Sequence, residues 1–158
     1  MSHAMRNTCV TQFIKATPAR VYAALLDPVA LTLWRVPDGM SAVVHHFDAR
    51  EGGTLRVSLT YDSPDGHGKS STHTDTYEGR LTKLIPDRCV VEVDTFESAD
   101  VTMQGAMTST ITLLDVDGGT EVVAVHSDIP PGVELGDNEA GWRMALAKLA
   151  SLVESRSM

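Results

Sequence analysis

The chain is 158 residues long, 42% hydrophobic and 22% charged, with a formal net charge of −8 and a pI near 5.1. That composition is globular and argues against a disordered chain. Its 13 Lys and Arg residues are scattered, whereas a nucleic-acid or anionic-membrane surface needs them clustered, so neither partner is expected.

Cys9 and Cys89 form no CxxC pair and sit in apolar, strand-like runs, which predicts buried free thiols. No apolar run reaches the ~18–20 residues that span a bilayer, and the N-terminal "MSHAMRN" lacks the apolar core of a secretory signal. A cytoplasmic protein without membrane contact is the expectation. The length fits one domain over residues 1–158, with its core within 8–155.

The first element, "TCVTQFIKA" (Thr8–Ala16), is rich in β-branched residues and reads as a strand. Thr17 and Pro18 then supply an N-cap and a favourable first helical residue, and Val21, Ala24 and Leu25 share a helical face. Asp27-Pro28 repeats the start signal and would break a continuous helix. Two short helices, Pro18–Leu26 and Pro28–Leu33, are therefore predicted.

From residue 40 to 128 the period changes to two. Val43, His45 and Phe47 alternate with Val44, His46 and Asp48; after the turn "EGGT", Leu55, Val57, Leu59 and Tyr61 alternate with Arg56, Ser58 and Thr60. A Gly/Ser/Pro-rich loop, "DSPDGHGKSS", leads to the strand "THTDTYEGRLTKLIP". "DRCVVEVDTFE", "VTMQGAMTSTITLLDV" and "GGTEVVAVHSDI" follow, with a hairpin turn at Asp117–Gly119. Short turns between consecutive strands dictate an antiparallel sheet.

In "NEAGWRMALAKLASLVES" the residues Trp142, Leu146, Leu149 and Val153 recur at helical spacing, widened by Ala145 and Leu152, and Asp137 or Asn138 can cap the start. About 17 residues give roughly 25 Å of helix, enough to cover the apolar face of a six- or seven-stranded sheet. The expected architecture is α+β: a strongly curved antiparallel sheet wrapped around a long C-terminal helix, with two short helices after the first strand. Such a wrap leaves room for a cavity between sheet and helix.

That order resembles the helix-grip fold of the START/Bet v 1-like (SRPBCC) superfamily, and within it the AHSA1-like group, named after the activator of Hsp90 ATPase. The resemblance is carried by "KATPARVYAALLDPVALTLW", "FDAREGGTLRV", "YEGRLTKLIPDRCVVEV", "GGTEVVAVHSDIP" and "GWRMALAKLASLVE", in the expected order over nearly all of residues 8–154. It implies a deep, largely apolar cavity that holds a hydrophobic or amphipathic small molecule. A cyclase- or hydrolase-type enzyme using the same pocket is the alternative it leaves open, and a co-chaperone or interaction module the second. Stimulation of Hsp90 is not expected, since the activator's work depends on an additional N-terminal domain for which this chain has no room.

The chemistry-bearing residues give few enzyme signals. His45 and His46 are adjacent in a strand and point to opposite faces, His67 lies in a loop and His3 near the terminus, and no Cys/His ligand spacing occurs, so no metal site is expected. There is no GxSxG elbow, and neither glycine pair opens a helix as a phosphate cradle would. No catalytic residue and no cofactor is assigned. Glu92, Asp94 and Glu97 alternate with Val91, Val93 and Thr95 and are read as solvated surface.

His45 and His126 share parity with apolar neighbours, so each is either a hydrogen-bonded core residue or a polar anchor for a ligand. Met103 and Met107 share a strand face on either side of Gly105, where core filling and an adaptable pocket wall both fit. Trp34 and Trp142 fit packing or pocket lining equally. The candidate ligand-binding set is Trp34, His45, Phe47, Leu59, Tyr61, Thr95, Met103, Met107, His126, Trp142 and Leu146. A homodimer through an exposed sheet edge is a further expectation, because open sheets must protect their edges.

Overall fold

Thr17 and Asp27 act as the sequence predicts. The Thr17 hydroxyl accepts a hydrogen bond from the Arg20 amide at 3.3 Å, and Asp27 Oδ1 accepts from the Val29 and Ala30 amides at 2.9 and 3.4 Å. Each cap opens a proline-led helix, α1 over Pro18–Leu25 and α2 over Pro28–Trp34. Trp34 is thus the last residue of α2, one beyond the predicted end.

The structure, a computed structural model, describes residues 6–62, 74–98, 102 and 104–154. The remaining elements are β1 (Thr8–Ile14), β2 (Met40–Phe47), β3 (Thr54–Tyr61), β4 (Thr74–Ile85), β5 (Cys89–Phe96), β6 (Met107–Val116), β7 (Gly119–Ser127) and α3 (Leu135–Glu154). All strand pairs are antiparallel, in the order β1-β7-β6-β5-β4-β3-β2. The β6–β7 turn passes through Gly118 at φ +84°, a left-handed conformation that favours glycine.

The expected helix-grip architecture is what forms: seven strands curl into a half-barrel around the C-terminal helix. On α3 the residues Ala145, Leu146, Leu149, Ala150 and Val153 are buried, while Trp142 and Leu152 are half-buried and pack against the same core. The helix begins at Leu135, earlier than the predicted cap at Asp137 or Asn138. Asp137 lies in the first turn, and Asn138 Oδ1 instead accepts a hydrogen bond from the Thr8 hydroxyl at 2.6 Å.

Two faces are phased differently from the sequence reading. In β2 a bulge between Val44 and His46 inserts an odd step, so Val44 and Phe47 are half-buried while Val43, His45 and His46 are exposed. In β5 the buried residues are Val90, Glu92 and Asp94, with Thr95 exposed, the reverse of the expected parity. Cys9 is exposed because the inward residues of β1 are Thr8 and Val10, and Cys89 is half-buried because the inward residues of β5 begin at Val90. Both thiols are free, but neither is buried as expected.

Seven strands at ~4.8 Å spacing make a layer nearly 30 Å wide, whereas one helix with its side chains is ~10–12 Å across. α3 settles against β1, α1 and α2, and Lys148 fastens it to the chain after α2 through the Val36 carbonyl at 2.6 Å and Asp38 at 2.8 Å. The inner face of β3, β4 and β5 beside the first half of α3 is left partly uncovered. Replacing Leu149, fully buried on α3, with Ala should cost about 2–5 kcal/mol in urea denaturation. Ser151→Ala, at an exposed position of the same helix, should stay within about 0.5 kcal/mol.

Candidate functional site

Under the first half of α3 lies a cavity of about 560 Å3. Its apolar wall comes from Leu59, Phe96, Met107 and Trp142, and its polar side from Arg35, Asp75, Tyr77 and Asp94, with Asp38, Glu134 and Asp137 also lining it. A larger cleft of about 860 Å3 runs past the start of α1 and the β4–β5 and β6–β7 turns, away from the buried charged groups described next.

Those groups converge because of strand alternation and register. Glu92 and Asp94, two apart on β5, point to the same inner face. Arg35, at the C-terminal cap of α2, reaches between them. Its Nη1 donates to Glu92 Oε1 at 2.9 Å and its Nη2 to Asp94 Oδ2 at 3.0 Å, and Nη2 is also 2.8 Å from Glu92 Oε2. The guanidinium carbon lies 5.1 Å from the centre of the Tyr77 ring and 5.3 Å from that of Trp142, so aromatic faces as well as carboxylates hold the charge. On β4, Gly79 sits opposite Asp94, and a β-carbon there would overlap Asp94 Oδ1. The missing side chain is what lets the carboxyl lie flat on the sheet.

Two carboxyls and one guanidinium cannot all keep their ordinary proton affinities when buried. Burial raises Asp94, and the neighbouring Glu92 charge raises it further against the pull of Arg35. Burial also opposes ionisation of Glu92, but Arg35 and hydrogen bonds from Asp94 and Arg35 outweigh it and hold Glu92 below its usual range. Glu92 is therefore the ionised partner and Asp94 the protonated one. Burial likewise raises the Tyr77 phenol, which stays neutral.

His126 is fully buried in β7, as its parity predicts. Its ring is 4.2 Å from that of Trp142, which in turn lies 6.1 Å from Trp34. Across the sheet, register places Thr8 and Ser109 on either side of it, with Glu92 beyond Ser109. Burial, reinforced by the charge of Arg35 and only partly offset by Glu92, lowers His126 to about 4. It is neutral at pH 7. Tyr77 Oη, Asp94 Oδ1, Trp34 Nε1 and both ring nitrogens of His126 are buried without a hydrogen-bond partner among the described residues.

Of the residues predicted to line a site, Leu59, Tyr61, Met107 and Trp142 do so. Trp34, His126 and Leu146 are fully buried, and Phe47 is half-buried against the same core; none of the four lines the cavity. His45 is exposed on the other face, hydrogen-bonded to Ser58 at 2.8 Å, because of the parity upstream of the β2 bulge. Thr95 is exposed because β5 is phased the other way. Met103, His3 and His67 lie outside the described residues. The sequence reading missed Arg35, Asp75, Tyr77 and Phe96, and placed Glu92 and Asp94 on the surface. The available signal was the spacing of the two acids, which puts both on one face of an interior strand. Among the described residues, no group of three or more His, Cys, Asp or Glu could hold a metal, and no helix is long and apolar enough to cross a membrane.

A curled antiparallel sheet closed by a C-terminal helix over a partly polar cavity defines a helix-grip protein. Within that class the chain belongs to the family described as "Activator of Hsp90 ATPase homolog 1-like protein", whose sequence model matches residues 15–154. A crystal structure of a Chromobacterium violaceum protein is similar at 31% identity with a TM-score of 0.85, covering 94% of this chain and 97% of that one. Proteins from Rhodobacter sphaeroides (20% identity, TM-score 0.79, 96% and 94% covered) and Mycobacterium smegmatis (21%, 0.72, 93% and 90%) share the fold. No curated protein matches the chain.

His126 gives a pH test with a definite sign. Between pH 6.5 and about 4 the unfolded chain protonates this histidine while the folded chain refuses the proton, so its contribution to stability is full above 6.5 and lost as pH falls. Asp94, with its raised affinity, acts in the opposite sense over the acid range, which makes the wild-type profile alone ambiguous. The stability of wild type minus that of His126→Phe removes the Asp94 contribution. This difference should rise with pH by about 1.4 kcal/mol per unit across the window, measured by urea denaturation at each pH; a flat difference would contradict a neutral buried His126.

Proposed function

We propose that the protein binds a small amphipathic molecule in the cavity beneath the first half of α3. The observation that carries this reading is the pairing of an apolar wall with buried polar atoms that have no partner among the described residues. Leu59, Phe96, Met107 and Trp142 provide the first, Tyr77 Oη and Asp94 Oδ1 the second. Buried polar groups are nearly always hydrogen-bonded, and a guest with a polar end and an apolar body meets both requirements. The volume of about 560 Å3 falls within the ~300–1,000 Å3 typical of ligand pockets.

Donation of a proton to the bound molecule is a second reading, favoured by Asp94. This carboxyl lines the cavity and is kept protonated by burial and by Glu92. Asp94→Asn, which keeps a hydrogen-bonding side chain but removes the acid proton, would abolish conversion of a bound compound, followed by mass spectrometry.

A thermal-shift screen of small amphipathic compounds tests the binding reading. A true ligand at about 100 times its Kd should stabilise the fold by ~2.7 kcal/mol. Leu59→Trp, which fills the apolar wall, should remove that gain, and Trp142→Ala should weaken it. A screen with no stabilising compound, or a gain unchanged in both variants, would count against the cavity as a binding site.

A further inference from the structure

We infer that the polar end of the guest is a cation, so that the ligand class is an organic amine with an apolar body; this rests on the cavity being a binding site. Five carboxyl residues line the space, Asp38, Asp75, Asp94, Glu134 and Asp137. Arg35 is the one cation among the described residues that line it.

An anionic guest would need that guanidinium, but its charge is already matched. Its nitrogens contact Glu92 and Asp94, and Tyr77 and Trp142 lie against it. The Asp38 charge is matched as well, by Lys148 at 2.8 Å. Glu134 and Asp137, at the rim, are left without such a match among the described residues and set the sign of the field at the cavity, and carboxylates around a low-dielectric cleft concentrate cations there.

Carboxylates alone would be only an acidic patch. Tyr77 supplies the independent sign of a guest: it is 5% exposed, lines the cavity, and its phenol oxygen has no hydrogen-bond partner among the described residues. That oxygen can accept from an ammonium N–H. The Tyr77 and Phe96 rings meet edge to face at 6.5 Å, and with Tyr61 and Trp142 they give the cavity four aromatic side chains. Aromatic faces attract ammonium groups and gain nothing from carboxylates. A neutral alcohol could satisfy Tyr77 but would not use the carboxylates.

The test compares three probes with one body: decylamine, decanol and decanoic acid, followed through tryptophan fluorescence and by calorimetry at pH 7. Decylamine should bind at least ~10-fold more tightly than decanol, and decanoic acid should be weakest. Raising the salt to ~0.5 M should erode the advantage of the amine but not the affinity of the alcohol. Glu134→Gln with Asp137→Asn, both at exposed positions, should lower amine affinity several-fold and leave decanol unchanged. Equal or tighter binding of decanol or decanoic acid would overturn the cationic class while the cavity reading stands. Silence of all three probes also overturns it, and a blank thermal-shift screen would then remove the cavity reading too. A screen whose ligands include no cations would overturn the charge inference alone.

Discussion

A guanidinium buried beneath a helix is the constraint around which the site is organised. Desolvating Arg35 is costly, and a buried ion pair rarely repays that cost unless its hydrogen bonds are well made. The fold meets the demand from four directions: α2 ends at the right place, β5 presents two acids on one face, Tyr77 stands beside the plane, and Trp142 comes from α3. Removing any of these leaves the others with an unmatched charge or an uncovered ring. Burial and the neighbouring Glu92 charge keep the proton on Asp94 against the pull of Arg35, while burial, reinforced by Arg35, keeps His126 neutral.

The cavity has an equally simple geometric origin. A single helix cannot cover seven strands, and α1 and α2 pack toward the second half of α3, where Leu146, Leu149 and Val153 make a solid core with Val21, Leu25, Leu31 and Trp34. The space left beside the first half of α3 has polar groups on one side and Leu59, Phe96 and Met107 on the other. Packing and pocket are thus divided along the length of one helix.

How much of this was legible in the sequence depended on whether the signal was local. Thr17-Pro18 and Asp27-Pro28 carry their caps within three residues, the hairpin glycines mark their own turns, and the apolar stripe of α3 needs only its own period. Those elements form as read. The phase of β5 is not local, because Val-Glu-Val-Asp alternates equally well either way. Hydrophobicity favours turning the valines inward, and the choice was settled by Arg35, nearly sixty residues earlier. His45 fails for a different reason: a bulge changes the count within β2, and nothing in "AVVHHF" announces it. His126, in a strand without an internal bulge, was placed correctly on the inner face.

The fastening of α3 has a mechanical outcome. Lys148 grips Val36 and Asp38, which directly follow Arg35. Asn138 is held to β1 through Thr8, and Arg6 holds the carbonyls of Ile129 and Val133 just before the helix. Lifting the helix like a hinged cover would pull, through Lys148, on the segment that carries Arg35. The closing helix and the guanidinium beneath it are thus one mechanical unit, in which displacing either displaces the other.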